Sequence, residues 1–395
     1  MAAQTESDSD ESYSPLRSVT HGASVYLVGT GFNHALGFLF NLLMSRVLGA
    51  KLYGIYTFGY TLAQIASTFA ILGTDRSILK FIPQYEDDPS KQNRIMGLVY
   101  VTSLVGSVIT GLVLYVFAPL VTNLTLGNPL LTGVLRVFAF FIPLQALTMV
   151  VVSVFQSLEL PGYQMTIKNG VMPVLRLLAA GVALAIGATL VGVTAAVVAA
   201  SALTLLVGFA LVLSRTSLRP ARGNSREDAA EFYTFSVPLT FQKMGTVLYS
   251  QVDILMVGIF LAGSAVGIYK VSVLLAGLLT LPLAGFNQLF PPIASRLYAN
   301  QEVTELKSLY QRVTRWIFTI SLFPAIGAVI YSSETLLLFG PEFTSGKSVL
   351  VLFIIAQLTN AAVGPSGYVL IMTDHQYLAL INEWILGGLN VVLNY

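Results

Sequence analysis

The sequence predicts an all-α, polytopic membrane protein built from two like halves, and three observations carry that prediction. Of 395 residues, 55% are hydrophobic and only 10% charged, with a mean hydropathy of +0.76, against about 25% charged in a soluble domain. Apolar runs of roughly 20 residues recur along nearly the whole length, each able to cross a hydrocarbon core about 30 Å thick. A short phrase is also written twice: Gly54-Ile55-Tyr56 ends "VLGAKLYGIY" and Gly267-Ile268-Tyr269 ends "FLAGSAVGIY", an offset of 213 positions.

The elements follow in chain order. Residues 1–23 are rich in Ser, Asp and Glu and lack the basic region and short apolar core of a signal peptide, so they read as a disordered, solvated tail. About eleven spans are then expected, at 24–48, 54–73, 95–118, 131–156, 168–189, 191–213, 235–260, 265–290, 312–332, 347–371 and 377–395. Several hold a proline (Pro143, Pro173, Pro238, Pro282, Pro324, Pro365), which membrane helices tolerate where neighbours or water satisfy the freed backbone groups. The loop "SRTSLRPARGNSREDAAEFY" is the longest polar interruption, so 24–213 is read as an N-lobe of six spans, 214–234 as the inter-lobe loop and 235–395 as a C-lobe of five. The final run "LGGLNVVLNY" ends without a polar tail, and the C-lobe is therefore expected to be incomplete.

Charge placement sets the orientation. With the N-terminus in the cytoplasm, fourteen of the 21 Lys and Arg fall on inner loops, while Arg46, Lys51, Arg136, Lys270 and Lys347 fall on outer turns. That is the bias the positive-inside rule requires. Arg176 and Lys243 remain inside apolar spans. The chain has no Cys, and His21, His34 and His375 show no metal-ligand spacing, so neither a metal nor another cofactor is expected. Outer turns are short and no paired-carboxylate or nucleotide-binding motif occurs, so an enzyme is not expected. The expected surroundings are a lipid bilayer, with no nucleic acid partner.

The repeated phrase falls at the turn between the first and second span of each lobe, and the same offset pairs Arg94 with Lys307 at the start of the third. An even number of spans separates the copies, so the lobes share one orientation. Transporters use such parallel repeats, with substrate at the repeat interface.

"LMSRVLGAKLYGIYTFGYTLAQIASTFAILGTDRSILKFIPQY" resembles the opening helices of polysaccharide biosynthesis flippases, the Wzx-type members of the multidrug/oligosaccharidyl-lipid/polysaccharide exporter superfamily. "FSVPLTFQKMGTVLYSQVDILMVGIFLAGSAVGIYKVSVLLAGLL" resembles the start of their second lobe, including Asp253, and "LNVVLNY" the approach to the twelfth helix. The resemblance implies a MATE-like pair of six-helix lobes in pseudo-twofold relation, with a full set of twelve to fourteen helices. It further implies a transporter that flips a polyprenyl-phosphate or -pyrophosphate oligosaccharide to the outer leaflet of the plasma membrane by alternating access. Glycosyltransferases or a polymerase of the same pathway are then candidate partners. A multidrug or cation antiporter of the same superfamily is the alternative.

A lipid-linked sugar needs a wet cavity and a cation for its phosphate, and charges at membrane depth cost about 2.5–3.5 kcal/mol. Arg176 and Lys243 are the candidate phosphate cations, each with snorkelling to an interface as its competing reading. Asn33, His34, Asn41, Gln64, Gln242 and Gln251 are candidate sugar-binding groups, against simple helix–helix hydrogen bonding. Asp253 and Glu383 are candidates for proton or Na⁺ coupling, against pairing with a cation. Arg46 and Lys51 read as headgroup anchors, and Asp75 and Arg76 as part of a solvated loop.

Overall fold

A computed structural model describes the backbone of residues 13–221, 226–373 and 375–393. Side chains are described from residue 29 onward, except for some in the helices at 226–260, 281–299 and 376–393, among them those of Gln242 and Glu383. Residues 1–12 of the expected tail and 222–225 of the expected inter-lobe loop thus lie outside the described residues.

Among the described residues the chain is helical, without strands. In order, the helices are α1 (Tyr13–Ala70), α2 (Thr74–Gln84), α3 (Pro89–Leu124), α4 (Pro129–Ser157), α5 (Pro161–Ala185), α6 (Leu190–Arg215) and α7 (Arg226–Phe260). Then come α8 (Gly263–Gly277), α9 (Leu281–Ala299), α10 (Val303–Ile330), α11 (Ser332–Leu337), α12 (Lys347–Val363), α13 (Ser366–Met372) and α14 (Gln376–Leu393). Helix α1 begins inside the stretch 1–23 read from sequence as a disordered tail, so residues 13–23 are helical instead.

Eight stretches among the described residues are long and apolar enough to cross a membrane. The first, Gly29–Gln84, unites the two spans expected at 24–48 and 54–73. In α7, where the side chains of 242 and 244–250 lie outside the described residues, Gln251–Phe260 is a shorter apolar stretch.

Caps and breakers explain the boundaries. Asp88 accepts from the Lys91 N–H ahead of α3, Asn128 from Leu130 N–H ahead of α4, and Thr189 from Gly192 N–H ahead of α6. Pro89 and Pro129 occupy the first turns, where a missing N–H costs nothing. At Gly49, φ is +72°, and α1 kinks there. The freed Ala50 N–H is capped from the far end of the chain, by the Glu342 carboxylate at 2.8 Å. Within α5, Thr166–Val171 forms a π-helical turn ahead of Pro173, which has no N–H to give.

The largest apolar cluster runs through α1, α4, α5, α6, α8, α10 and α12, so one core joins both halves. The repeated phrase lies at that junction. A Cβ on Gly54 would stand 1.8 Å from the Gly263 carbonyl, and one on Gly267 would stand 2.3 Å from the Ala50 carbonyl. The two copies are therefore each other's packing surface, and both positions require glycine so that the backbones can touch. On the same end of the bundle Phe38 meets Phe339 edge-on, Tyr53 meets Phe343, and Arg46 donates to the Leu338 carbonyl at 2.9 Å. Arg46, read from sequence as a headgroup anchor, thus binds the second half of the chain.

The opposite end is tied by charge. Arg94 pairs with Asp228 at 3.0 Å, Lys91 with Glu231 at 3.5 Å, and the Tyr85 hydroxyl donates to Glu231 at 2.8 Å. Lys243 pairs with Asp75. Asp75 is consequently a partly buried residue of the first turn of α2 rather than part of a solvated loop.

Candidate substrate site between the halves

Arg176 is the best-defined charge at membrane depth. The π-turn and Pro173 set the register of α5 so that residue 176 points towards α1. Its guanidinium lies between two rings, 4.2 Å from the centroid of Phe40 and 4.2 Å from that of Tyr60. One terminal nitrogen donates to the Tyr60 hydroxyl at 2.9 Å and the other to the Tyr56 hydroxyl at 3.2 Å. Tyr56 and Tyr60, one turn apart, stack nearly parallel and are braced by Phe138. The buried Nε has no partner among the described residues, which leaves one donor of the fork unused. The Arg176 side chain is thus fastened inward against α1. Charged hydrogen bonds contribute about 1.5–3 kcal/mol each and a cation–π contact about 0.5–2, enough to hold the cation there.

The second half answers with the matching tyrosine. Tyr269, the counterpart of Tyr56 at the 213-residue offset, donates to the Asp253 carboxylate at 2.5 Å and packs edge-on against Phe353. Each copy of the phrase thus uses its tyrosine to hold an embedded charge, cationic on one side and anionic on the other. Lys270 follows directly. Sequence reading placed it at an outer turn, but α8 starts at Gly263, so Lys270 lies about two turns inside the helix. It is partly buried.

The remaining candidates separate. Lys243 is not beside Arg176 as a free cavity cation, since its ammonium is committed to Asp75 at the base of α2. Asn41 donates to the Gly37 carbonyl at 2.6 Å and accepts from the Tyr53 hydroxyl at 2.6 Å, so it fastens the two limbs of α1 to each other. That is the helix–helix reading. Asn33, Gln64 and Gln251 are partly buried and His34 is exposed. The side chains of Gln242 and Glu383 lie outside the described residues.

Tyr56, Tyr60, Phe40, Tyr269 and Lys270 were not singled out as site residues from sequence. The available signal was the Tyr56/Tyr60 spacing of four, which puts two hydroxyls on one helix face. Among the described residues no group of three or more His, Cys, Asp or Glu is placed to hold a metal.

Comparison with known proteins bears on the family and the fold. Residues 19–296 match the family described as polysaccharide biosynthesis protein. No curated protein matches the sequence. Among solved structures, the chain is similar to the lipid II flippase MurJ in an inward closed conformation, with TM-score 0.71, 13% identity, and 94% of this chain and 80% of that one covered. It is also similar to a multidrug resistance MATE family transporter of the MOP superfamily. The inward-facing form gives TM-score 0.66 at 16% identity, covering 89% and 83%, and the outward-facing form gives 0.51 at 14%, covering 90% and 82%. At these identities the likeness establishes the architecture, a MATE-like helical membrane protein that crosses the bilayer several times. With the family match extending over residues 19–296, the chain belongs to the polysaccharide biosynthesis protein family.

Proposed function

We propose that the protein is a flippase that moves a lipid-linked oligosaccharide, joined through phosphate or pyrophosphate, from the cytoplasmic to the outer leaflet of the plasma membrane. It is a transporter and not an enzyme, and its N-terminus is cytoplasmic, as the Lys and Arg distribution suggests. Residues 24–213 and 235–395 act as the two lobes that rock against each other. The observation that carries the reading is the Arg176 guanidinium, held between Phe40 and Tyr60 with its Nε unpartnered. A guanidinium fork matches phosphate oxygens. Lys270 from the other half adds a second cation, and Asp253 is already engaged by Tyr269. Net positive charge between the halves favours an anionic linker over a cationic drug, which supports the flippase over the antiporter.

The protonation or ion coupling proposed for Asp253 would act through Tyr269, since any cation taken up by the carboxylate must compete with that hydroxyl. The contacts at the Gly49 end, together with a higher TM-score to the inward-facing than to the outward-facing relative, support a resting state closed at that end. By the charge distribution that end is the outer one.

Reconstitution in proteoliposomes tests the reading. The wild type is expected to move a polyprenyl-pyrophosphate oligosaccharide to the opposite leaflet, and Arg176→Gln to lose about 10–100-fold of that rate, the equivalent of one or two charged hydrogen bonds. Proton- or Na⁺-driven uptake of an organic cation, with no movement of the lipid-linked sugar, would establish the antiporter instead.

A further inference from the structure

Away from the junction of the halves, α3 and α4 form an exposed groove of about 370 Å³ lined by Val108, Gly111, Leu112, Tyr115, Ala139, Phe140 and Pro143. That volume lies within the range of small-molecule clefts, about 300–1,000 Å³. Its walls are two helical stripes, 108/111/112/115 on α3 and 139/140/143 on α4, and each presents one face. Gly111 makes the floor: a Cβ there would come within 2.7 Å of the Ala139 carbonyl, so the two backbones touch beneath the groove. Leu112 and Phe140 at the rim are 62% and 61% exposed.

The stripe on α4 continues to Arg136, one turn before Phe140, whose guanidinium lies 5.4 Å over the Tyr115 ring. Arg136 is the only charged residue of α4, and α3 has none after Arg94. Among the described residues it has neither an ion pair nor a hydrogen bond. It lies seven residues into α4, roughly 10 Å from the start of the helix. The whole helix is longer than the hydrocarbon core of about 30 Å, so Arg136 stands near the level where lipid phosphates lie, with the groove leading from it towards the bilayer interior.

We infer that this groove is a binding site for a resident anionic phospholipid, one acyl chain lying along the Val108–Tyr115 stripe and the headgroup phosphate on Arg136. Charge complementarity selects the lipid. An aliphatic groove accepts any acyl chain, but an unpaired guanidinium beside it favours a phosphate without a compensating ammonium. The Tyr115 ring keeps the guanidinium at the mouth of the groove, so that little side-chain freedom is lost on binding. The site is independent of Arg176 and of the flippase reading.

Native mass spectrometry of the full chain in detergent, titrated with phosphatidylglycerol or phosphatidylcholine of identical acyl chains, tests the inference. The wild type should bind phosphatidylglycerol about tenfold more tightly, and Arg136→Gln should abolish that preference while leaving phosphatidylcholine binding unchanged. Val108→Phe, which fills the groove from an exposed position, should weaken both lipids with the protein still monodisperse. Unchanged phosphatidylglycerol affinity in both variants overturns the site. Displacement of phosphatidylglycerol by an equimolar polyprenyl phosphate also overturns it, because the groove would then belong to the transported lipid.

Discussion

Arg176 concentrates the argument at the scale of single residues. Left in lipid, such a charge costs about 2.5–3.5 kcal/mol, and four aromatic or phenolic contacts offset that cost here. Tyr56→Phe removes one of the two hydroxyl acceptors. Transport of the lipid-linked sugar in proteoliposomes is expected to fall by a few-fold, and Tyr60→Phe to act similarly, since each loses one charged hydrogen bond of about 1.5–3 kcal/mol partly replaced by water. Lys270→Gln should weaken transport by about tenfold if its cation shares the phosphate, whereas Lys270→Arg should retain most of it. Arg176 itself was legible in the sequence because a cation inside an apolar run stands out. Its aromatic partners were not legible: Phe40 and the tyrosines are ordinary membrane-span residues until the fold carries them to α5. Lys270 was misplaced for a related reason, since its distance from a short turn is set by where α8 begins, and hydropathy blurs that boundary.

Helix contacts explain why one phrase is written twice. Gly54 and Gly267 are required where α1 and α8 meet backbone to backbone, and the tyrosine two residues on in each copy faces a charge of its own half. An all-helical membrane chain could be read from hydropathy alone, but the meeting of the two copies of the phrase could not, because an offset in sequence does not fix contact. Gly54→Val places a side chain where the Gly263 carbonyl now stands. Overpacking of this kind costs about 1–3 kcal/mol, and a lower thermal unfolding midpoint in detergent is the expected outcome. Glu342→Ala uncaps the lower limb of α1 at Ala50, and loss of such a cap costs about 0.5–2 kcal/mol. The same thermal measurement should show a smaller decrease than for Gly54→Val. Lys243 illustrates the opposite error of sequence reading. It was as conspicuous as Arg176, yet α7 delivers it to Asp75, and exchanging the two charges (Asp75→Lys with Lys243→Asp) should restore the stability that either single change removes.

Across the whole molecule the contacts divide between two ends. Carbonyl, ring and glycine contacts close the Gly49 end, while at the other end α7 adds ion pairs to ring contacts of Phe232 and Phe235 with Phe81 and to the close approach of Gly73 to the Ser236 carbonyl. The apolar closure at the Gly49 end is continuous with the main core, while the α7 end packs through Phe232 on a second apolar cluster. Between the ends lie Arg176, held by Tyr56 and Tyr60, and Asp253, held by Tyr269, and the proposed function depends on that region recognising a phosphate. The most direct measurement compares transport, in the same proteoliposomes, of a lipid-linked sugar joined through pyrophosphate with one joined through an uncharged linker. The wild type should favour the charged linker by about tenfold or more, and Arg176→Gln should erase the difference. Equal rates for both lipids in the wild type, or a preference that survives in Arg176→Gln, would contradict it.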